Sequence, residues 1–75
     1  MTTINKDQLL KEIGNRIRLK REEKNISQQD LAALCNFEKA NMSRLEAGRT
    51  NPTISTLYKI SQALNIKLSE LTDIE

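Results

Sequence analysis

Lys39, Ala40, Asn41, Ser43 and Arg44 stand together in a chain of 75 residues that has no histidine and a single cysteine. At about 100° per residue, Ala40 and Arg44 point most directly away from Met42 and Leu45. Asn41 and Ser43 flank them, and Lys39 sits in the first turn, free to reach forward. This outward face is polar and cationic, which suits a groove of hydrogen-bonding base edges. Arg44 could fork onto guanine N7 and O6, and Ala40 could meet a thymine methyl. Lys39, Ala40, Asn41 and Arg44 are therefore the expected base-reading set. Ser43 is small enough to let the helix come close to a nucleic-acid backbone.

Other chemistries have little to work with. One cysteine without histidine makes no metal cluster, so no metal ligand is expected. Cys35 reads as a small buried hydrophobe. With no histidine, no activated cysteine arrangement and no glycine-rich phosphate loop, neither a catalytic residue nor a cofactor is expected, and an enzyme is disfavoured.

The outward face needs a scaffold, and the segment from Ser27 to Glu46 supplies one as two short helices joined by a tight turn. Ser27 can cap the first of them and Asp30 can answer from the N3 position, with Ile26 and Leu31 at staple spacing. Leu31, Leu34 and Cys35 make an apolar face at i, i+3, i+4, while Ala32 and Ala33 let a second helix cross closely. Asn36 occupies the turn and tolerates a left-handed conformation. Phe37 turns inward, Met42 and Leu45 form the buried stripe of the next helix, and Gly48 can end it with positive φ. The two-helix unit spans about residues 28–47 and its second helix about 38–47.

The whole chain predicts an all-α, compact five-helix bundle. Helix one runs from about Lys6 to Asn25, with an Asn5–Gln8 capping box, an Ile4–Leu9 staple and a core stripe of Leu10, Ile13 and Ile17. Gly14 interrupts that helix at a cost, so another backbone is expected close to it. Arg49 to Pro52 reads as a loop. Helix four covers about Ile54 to Leu64 with a stripe of Ile54, Leu57, Ile60 and Leu64, and Tyr58 packing alongside. Asn65 is a stop, and a short helix from Ser69 to Asp73 brings in Leu71.

Length and composition agree with a single domain over residues 1–75. Such a chain buries only ~60% of its unfolded surface. The hydrophobic fraction is 37% and aromatics are 3%, which suits a helix bundle better than a β-sandwich. No apolar run of about 18 residues is present, so no membrane span is expected. The first apolar cluster is brief and interrupted by charge, so neither is a secretory signal. A single cysteine points to a reducing compartment. Net charge is only +2, but its distribution is uneven. Arg16, Arg18, Lys20, Arg21 and Lys24 crowd helix one, where Glu22 and Glu23 can screen them as a solvated face. Lys39, Arg44 and Arg49 follow the turn, and Ser69 to Glu75 carries acids and no base.

The ordered set Ile13-Gly14, Ile17-Arg18, Arg21, Ser27-Gln28, Leu31-Ala32, Met42-Ser43, Leu45-Glu46, Gly48, Asn51-Pro52, Leu57, Ala63-Leu64 and Leu71 resembles the Cro/repressor-type helix-turn-helix family, the Xre regulators. The resemblance covers Ile13 to Leu71. It implies a lambda-repressor-like DNA-binding domain that acts as a dimer on double-stranded DNA. It implies that Gln28 reaches a phosphate and braces the recognition helix, and that Asn41 can hold a phosphate instead of a base. Arg49, Thr50 and Asn51 would hold the sugar-phosphate backbone by side chains and amides, although Asn51 could serve only to organise the turn before Pro52. Arg21 and Glu46 would form a partly buried ion pair tying helix one to helix three, which removes Glu46 from any catalytic role. The chain departs from the family pattern in three ways. Asn36 replaces the turn glycine, Glu38 replaces the usual hydroxyl cap, and Leu19-Lys20 reverses a common order.

The expected function is that of a sequence-specific, double-stranded-DNA-binding transcriptional regulator of bacterial or phage type. It would bind a near-palindromic operator as a homodimer in the cytoplasm, on the nucleoid. Occlusion or recruitment of RNA polymerase would make it repressor or activator, and no small-molecule ligand is expected. A different class also fits: an antitoxin or adaptor binding another protein, with DNA contacts secondary. That alternative calls for an exposed apolar patch, at Leu19 or at Leu68 to Ile74. Those last residues could equally be core or a dimer seam.

Overall fold

Local signals account for the helix ends. The computed structural model describes residues 4–74, so Glu75 and the first residues of the expected domain lie outside the described residues. It contains helices α1 (Lys6–Glu23), α2 (Gln28–Leu34), α3 (Lys39–Glu46), α4 (Ile54–Ala63) and α5 (Ser69–Thr72), with no strand among the described residues. None of these helices is long and apolar enough to cross a membrane. The Asn5 side chain accepts from the Gln8 amide at 2.8 Å and the Gln8 side chain accepts in return, which completes the capping box. Ser27 and Thr53 cap α2 and α4 by accepting from the amides of Asp30 and Thr56. Only the Ser27 half of the expected second box forms, and Glu38 makes no side-chain cap bond.

The first four helices stop in the same way. Asn25, Asn36, Gly48 and Asn65 take φ of 56°, 59°, 74° and 57°. In each case the following amide reaches back to a carbonyl of the last turn: Ile26 to Arg21, Phe37 to Ala32, Arg49 to Arg44 and Ile66 to Ser61. This is the Schellman arrangement, which satisfies otherwise orphaned carbonyls and usually carries an apolar contact. Ile26, Phe37 and Ile66 provide that contact by packing against the core. At α3 the equivalent residue is Arg49, which is exposed. Helix one thus ends at Glu23, slightly earlier than expected, with Asn25 forming the turn.

The core gathers Ile17, Leu31, Met42, Ile60, Leu64 and Leu71, all fully buried, with Cys35 and Ser61 among them. Several expected core positions differ. Leu34 is 62% exposed and Ala32 is buried in its place, because the buried arc of α2 is centred on Leu31, Ala32 and Cys35. Ile54 is also 62% exposed, since it opens α4 to one side of the Leu57, Ile60 and Leu64 stripe. Leu10 is only half-buried, and Tyr58 lies mainly outside, its hydroxyl accepting from Gln62. Leu68 and Ile74, weighed as a possible exposed patch, pack against the core, whereas Leu19 is exposed.

Candidate nucleic-acid interface

Helix α3 is gripped from beneath before it offers anything to solvent. Met42 and Leu45 point into the core and leave Lys39, Ala40, Asn41, Ser43 and Arg44 exposed. Gly14 fixes the height of α3 over α1. A Cβ at Gly14 would lie 2.4 Å from the Leu45 carbonyl oxygen and 2.5 Å from that of Glu46, so only glycine permits this crossing. The expectation of a close backbone at Gly14 is met by the end of α3. Gly48 then passes over Lys11, where a Cβ would meet the lysine Cα at 2.7 Å.

The third grip is ionic. Arg21 Nε donates to Glu46 Oε2 at 2.7 Å and Nη2 to Oε1 at 3.0 Å, a bidentate fork. Arg21 Nη1 also donates to the Ile26 carbonyl at 2.8 Å, and Gln28 Nε2 donates to Glu46 Oε1 at 2.9 Å. The side chains of Arg21 and Glu46 keep only 11% and 3% of their surface. The hydrogen bond to Glu46 raises the guanidinium pKa further above its already high value, against the opposing effect of burial. Three elements are therefore tied to one carboxylate: α1 through Arg21, the start of α2 through Gln28, and α3 itself. Gln28 thus ties the start of α2 to the end of α3, and its amide retains one N–H for another acceptor.

The loop after α3 continues the same surface. Asn41, Arg44, Thr50 and Asn51 share a shallow cleft of about 260 Å³ with Phe37, Pro52, Thr53 and Thr56. Thr53 and Thr56 escaped the sequence reading. Thr53 caps α4 by accepting from the Thr56 amide, which brings the start of α4 to the cleft wall. Arg49 and Asn51 are exposed and Thr50 is half-buried. The Arg49 amide donates to the Arg44 carbonyl at 2.9 Å, so it is not free for a phosphate, and only the side chain remains available.

The cations of α1 are largely committed elsewhere. Arg16 donates to the carbonyls of Glu70 and Asp73, both at 3.1 Å, and Lys20 pairs with Glu70 at 3.4 Å. Arg18 pairs with Glu22 at 3.3 Å. The basic helix and the acidic tail, distant in sequence, are thus packed together as α1 against α5. Lys39, Arg44 and Arg49 stay exposed on and just after α3. Cys35 is fully buried, and burial pushes its thiol pKa up, which suits a packing residue. No cluster of potential metal ligands occurs among the described residues.

A short exposed helix locked over a capped partner helix defines a helix-turn-helix DNA-binding fold. The helix-turn-helix family model HTH_3 matches residues 17–71, and the chain belongs to this family of Xre/Cro-type transcriptional regulators. It is similar to the uncharacterised HTH-type transcriptional regulator y4dJ of Sinorhizobium fredii, with 39% identity over 79% of this chain and 77% of the relative. Some relatives are longer. The HTH-type regulator SlrR of Bacillus subtilis is 41% identical, but the match spans 42% of its length. Among solved structures, the restriction-modification controller protein C.AhdI of Aeromonas hydrophila superposes with a TM-score of 0.80 at 32% identity, covering 83% of this chain and 94% of that one. The biofilm master regulator SinR, solved in complex with DNA, gives 0.73 at 37% identity, covering 79% and 95%.

Proposed function

We propose that this chain is a sequence-specific, double-stranded-DNA-binding regulator that inserts α3 into the major groove of a near-palindromic operator. Lys39, Ala40, Asn41 and Arg44 meet base edges. Gln28, Ser43, Arg49, Thr50 and Asn51 hold the flanking backbone. The observation that carries this reading is the division of α3: Lys39, Ala40, Asn41, Ser43 and Arg44 on its outer face are exposed, while its inner face is fixed by the core, by Gly14 and by the Arg21–Glu46–Gln28 cluster. A reader of bases needs such rigidity, because a small displacement of the helix changes every contact it makes in the groove. Arg49 supports the reading independently. It is an exposed cation where the other helix ends carry an apolar residue facing the core.

The protein acts as a homodimer, with half-sites about 34–36 Å apart on one DNA face. It works in the cytoplasm on the nucleoid, and it activates or represses by recruiting or occluding RNA polymerase. Its own concentration is the simplest control. Selection of bound duplexes from a random pool tests the proposal, because sequencing yields motif, symmetry and spacing together. A two-fold motif at one-turn spacing is expected. Absence of any preference at low ionic strength rules the proposal out, and an unpaired half-site rules out the dimer.

A further inference from the structure

We infer that Asn41 and Arg44 read bases as one unit, in which Asn41 holds the Arg44 guanidinium in place for a base edge in the groove. The pair then selects guanine opposite Arg44, and Asn41 sets how sharply it does so. This rests on the reading of α3 as the groove-inserted helix.

Arg44 Nη2 donates to Asn41 Oδ1, one helical turn earlier. Both side chains are exposed and both line the cleft shared with Thr50 and Asn51. Arginine carries donors and no acceptor, so the amide atom turned toward it must be the oxygen. That decides what each side chain has left. Bidentate recognition of adenine requires the asparagine oxygen for N6–H and the amide N–H for N7. With one lone pair of that oxygen engaged and the oxygen turned toward Arg44, the Asn41 amide N–H groups are the ones free to turn toward the groove. Arg44 gives up one N–H and keeps a parallel pair for guanine N7 and O6. Guanine, with two acceptors on its major-groove edge, matches that fork. A neighbouring thymine O4 or guanine O6 matches the Asn41 amide. Opposite Arg44, the N6 amino group of adenine and the N4 amino group of cytosine would face donors.

The restraint also acts on order. A long, flexible arginine held by a neighbour before binding has less freedom to lose when it docks. Asn41 is therefore a positioning residue for Arg44 as well as a contact in its own right.

The test uses the full chain, with duplex selection followed by competition titrations on the selected site. Wild type is compared with Asn41→Ala, Arg44→Ala, the double variant and Asn41→Asp. Both side chains are exposed, and thermal melts confirm that each variant is folded. Wild type should select guanine opposite Arg44. Asn41→Ala should reduce that guanine discrimination by roughly threefold to tenfold, with no further loss at that position when Arg44 is already alanine. Asn41→Asp keeps the acceptor for Arg44, so guanine preference should survive at lower overall affinity. Adenine preference lost in Asn41→Ala with guanine preference intact would make Asn41 an independent reader and overturn the inference. Uniform weakening across all sequences would make it a phosphate contact, with the same consequence. If the wild type discriminates but Arg44→Ala leaves that discrimination unchanged, the inference fails while groove insertion stands. If the wild type shows no preference at all, the reading beneath it fails as well.

Discussion

Removing the Glu46 carboxylate probes how α3 is held. Glu46→Ala leaves the Arg21 guanidinium, with 11% of its side chain exposed, only the Ile26 carbonyl as a partner, and leaves Gln28 Nε2 unpaired. Folding has already stripped water from that guanidinium, so the loss is not merely an attraction between two ions. Deleting one partner of a buried pair costs about 3–5 kcal/mol, against roughly 0–1 kcal/mol for an exposed pair. In a domain of this size 1 kcal/mol moves Tm by about 4–8 °C, so a fall of about 12 °C or more is expected by circular dichroism or calorimetry. The cycle with Arg21→Ala is more discriminating. Each single variant strands a group, while Arg21→Ala/Glu46→Ala strands neither charge. The double variant should therefore lose less than the sum of the singles, by about 0.5–3 kcal/mol. Singles that each cost below about 1 kcal/mol and simply add would refute the buried, coupled pair.

Gly14→Ala should lower the urea midpoint even though alanine favours helices by about 1 kcal/mol, because its methyl would collide with the Leu45 and Glu46 carbonyls; a raised midpoint would contradict the close crossing. Arg44→Ala should weaken binding to the preferred site more than to random DNA in competition titrations, and equal losses would restrict Arg44 to phosphate. Arg49→Ala should weaken binding evenly across sequences and reduce the slope of log affinity against log salt by about 1; an unchanged slope removes the phosphate contact. Glu70 has its pKa lowered in the fold, first by the hydrogen bond from the Lys67 amide and then by Lys20. Its stabilising effect is therefore complete above the ordinary carboxylate value of about 4.3 and is lost as pH falls through the lower folded value. Glu70→Gln should flatten that acid-side decline in melting temperature, and an identical profile would show that the α5 contacts do not depend on this charge.

Much of the site was legible because it is written in local rules. The outward set of Lys39, Ala40, Asn41, Ser43 and Arg44 follows from helical period once Met42 and Leu45 are taken as inward. The turns at Asn36 and Gly48 and the stop at Asn65 follow from which residues accept positive φ. The close approach at Gly14 follows from the cost of glycine in mid-helix. The misreadings have a common source. A helix of 7 residues makes barely two turns, so several apolar arcs fit α2, and only the position of α3 decides that Ala32 is inside and Leu34 outside. Ile54 fails for the same reason at the first turn of α4.

Taken alone, the order of residues determined where helices begin and end and which side of α3 faces outward, since caps, left-handed turns and periodicity depend on neighbours within a few positions. Tertiary structure alone decided which charges are spent. Arg16 meets the Glu70 carbonyl across 54 positions, and Gln28 meets Glu46 across 18. Those pairings depend on how helices cross, a property of the packed core as a whole, and they engage Arg16, Lys20 and Arg21 while Lys39, Arg44 and Arg49 stay exposed on and after α3.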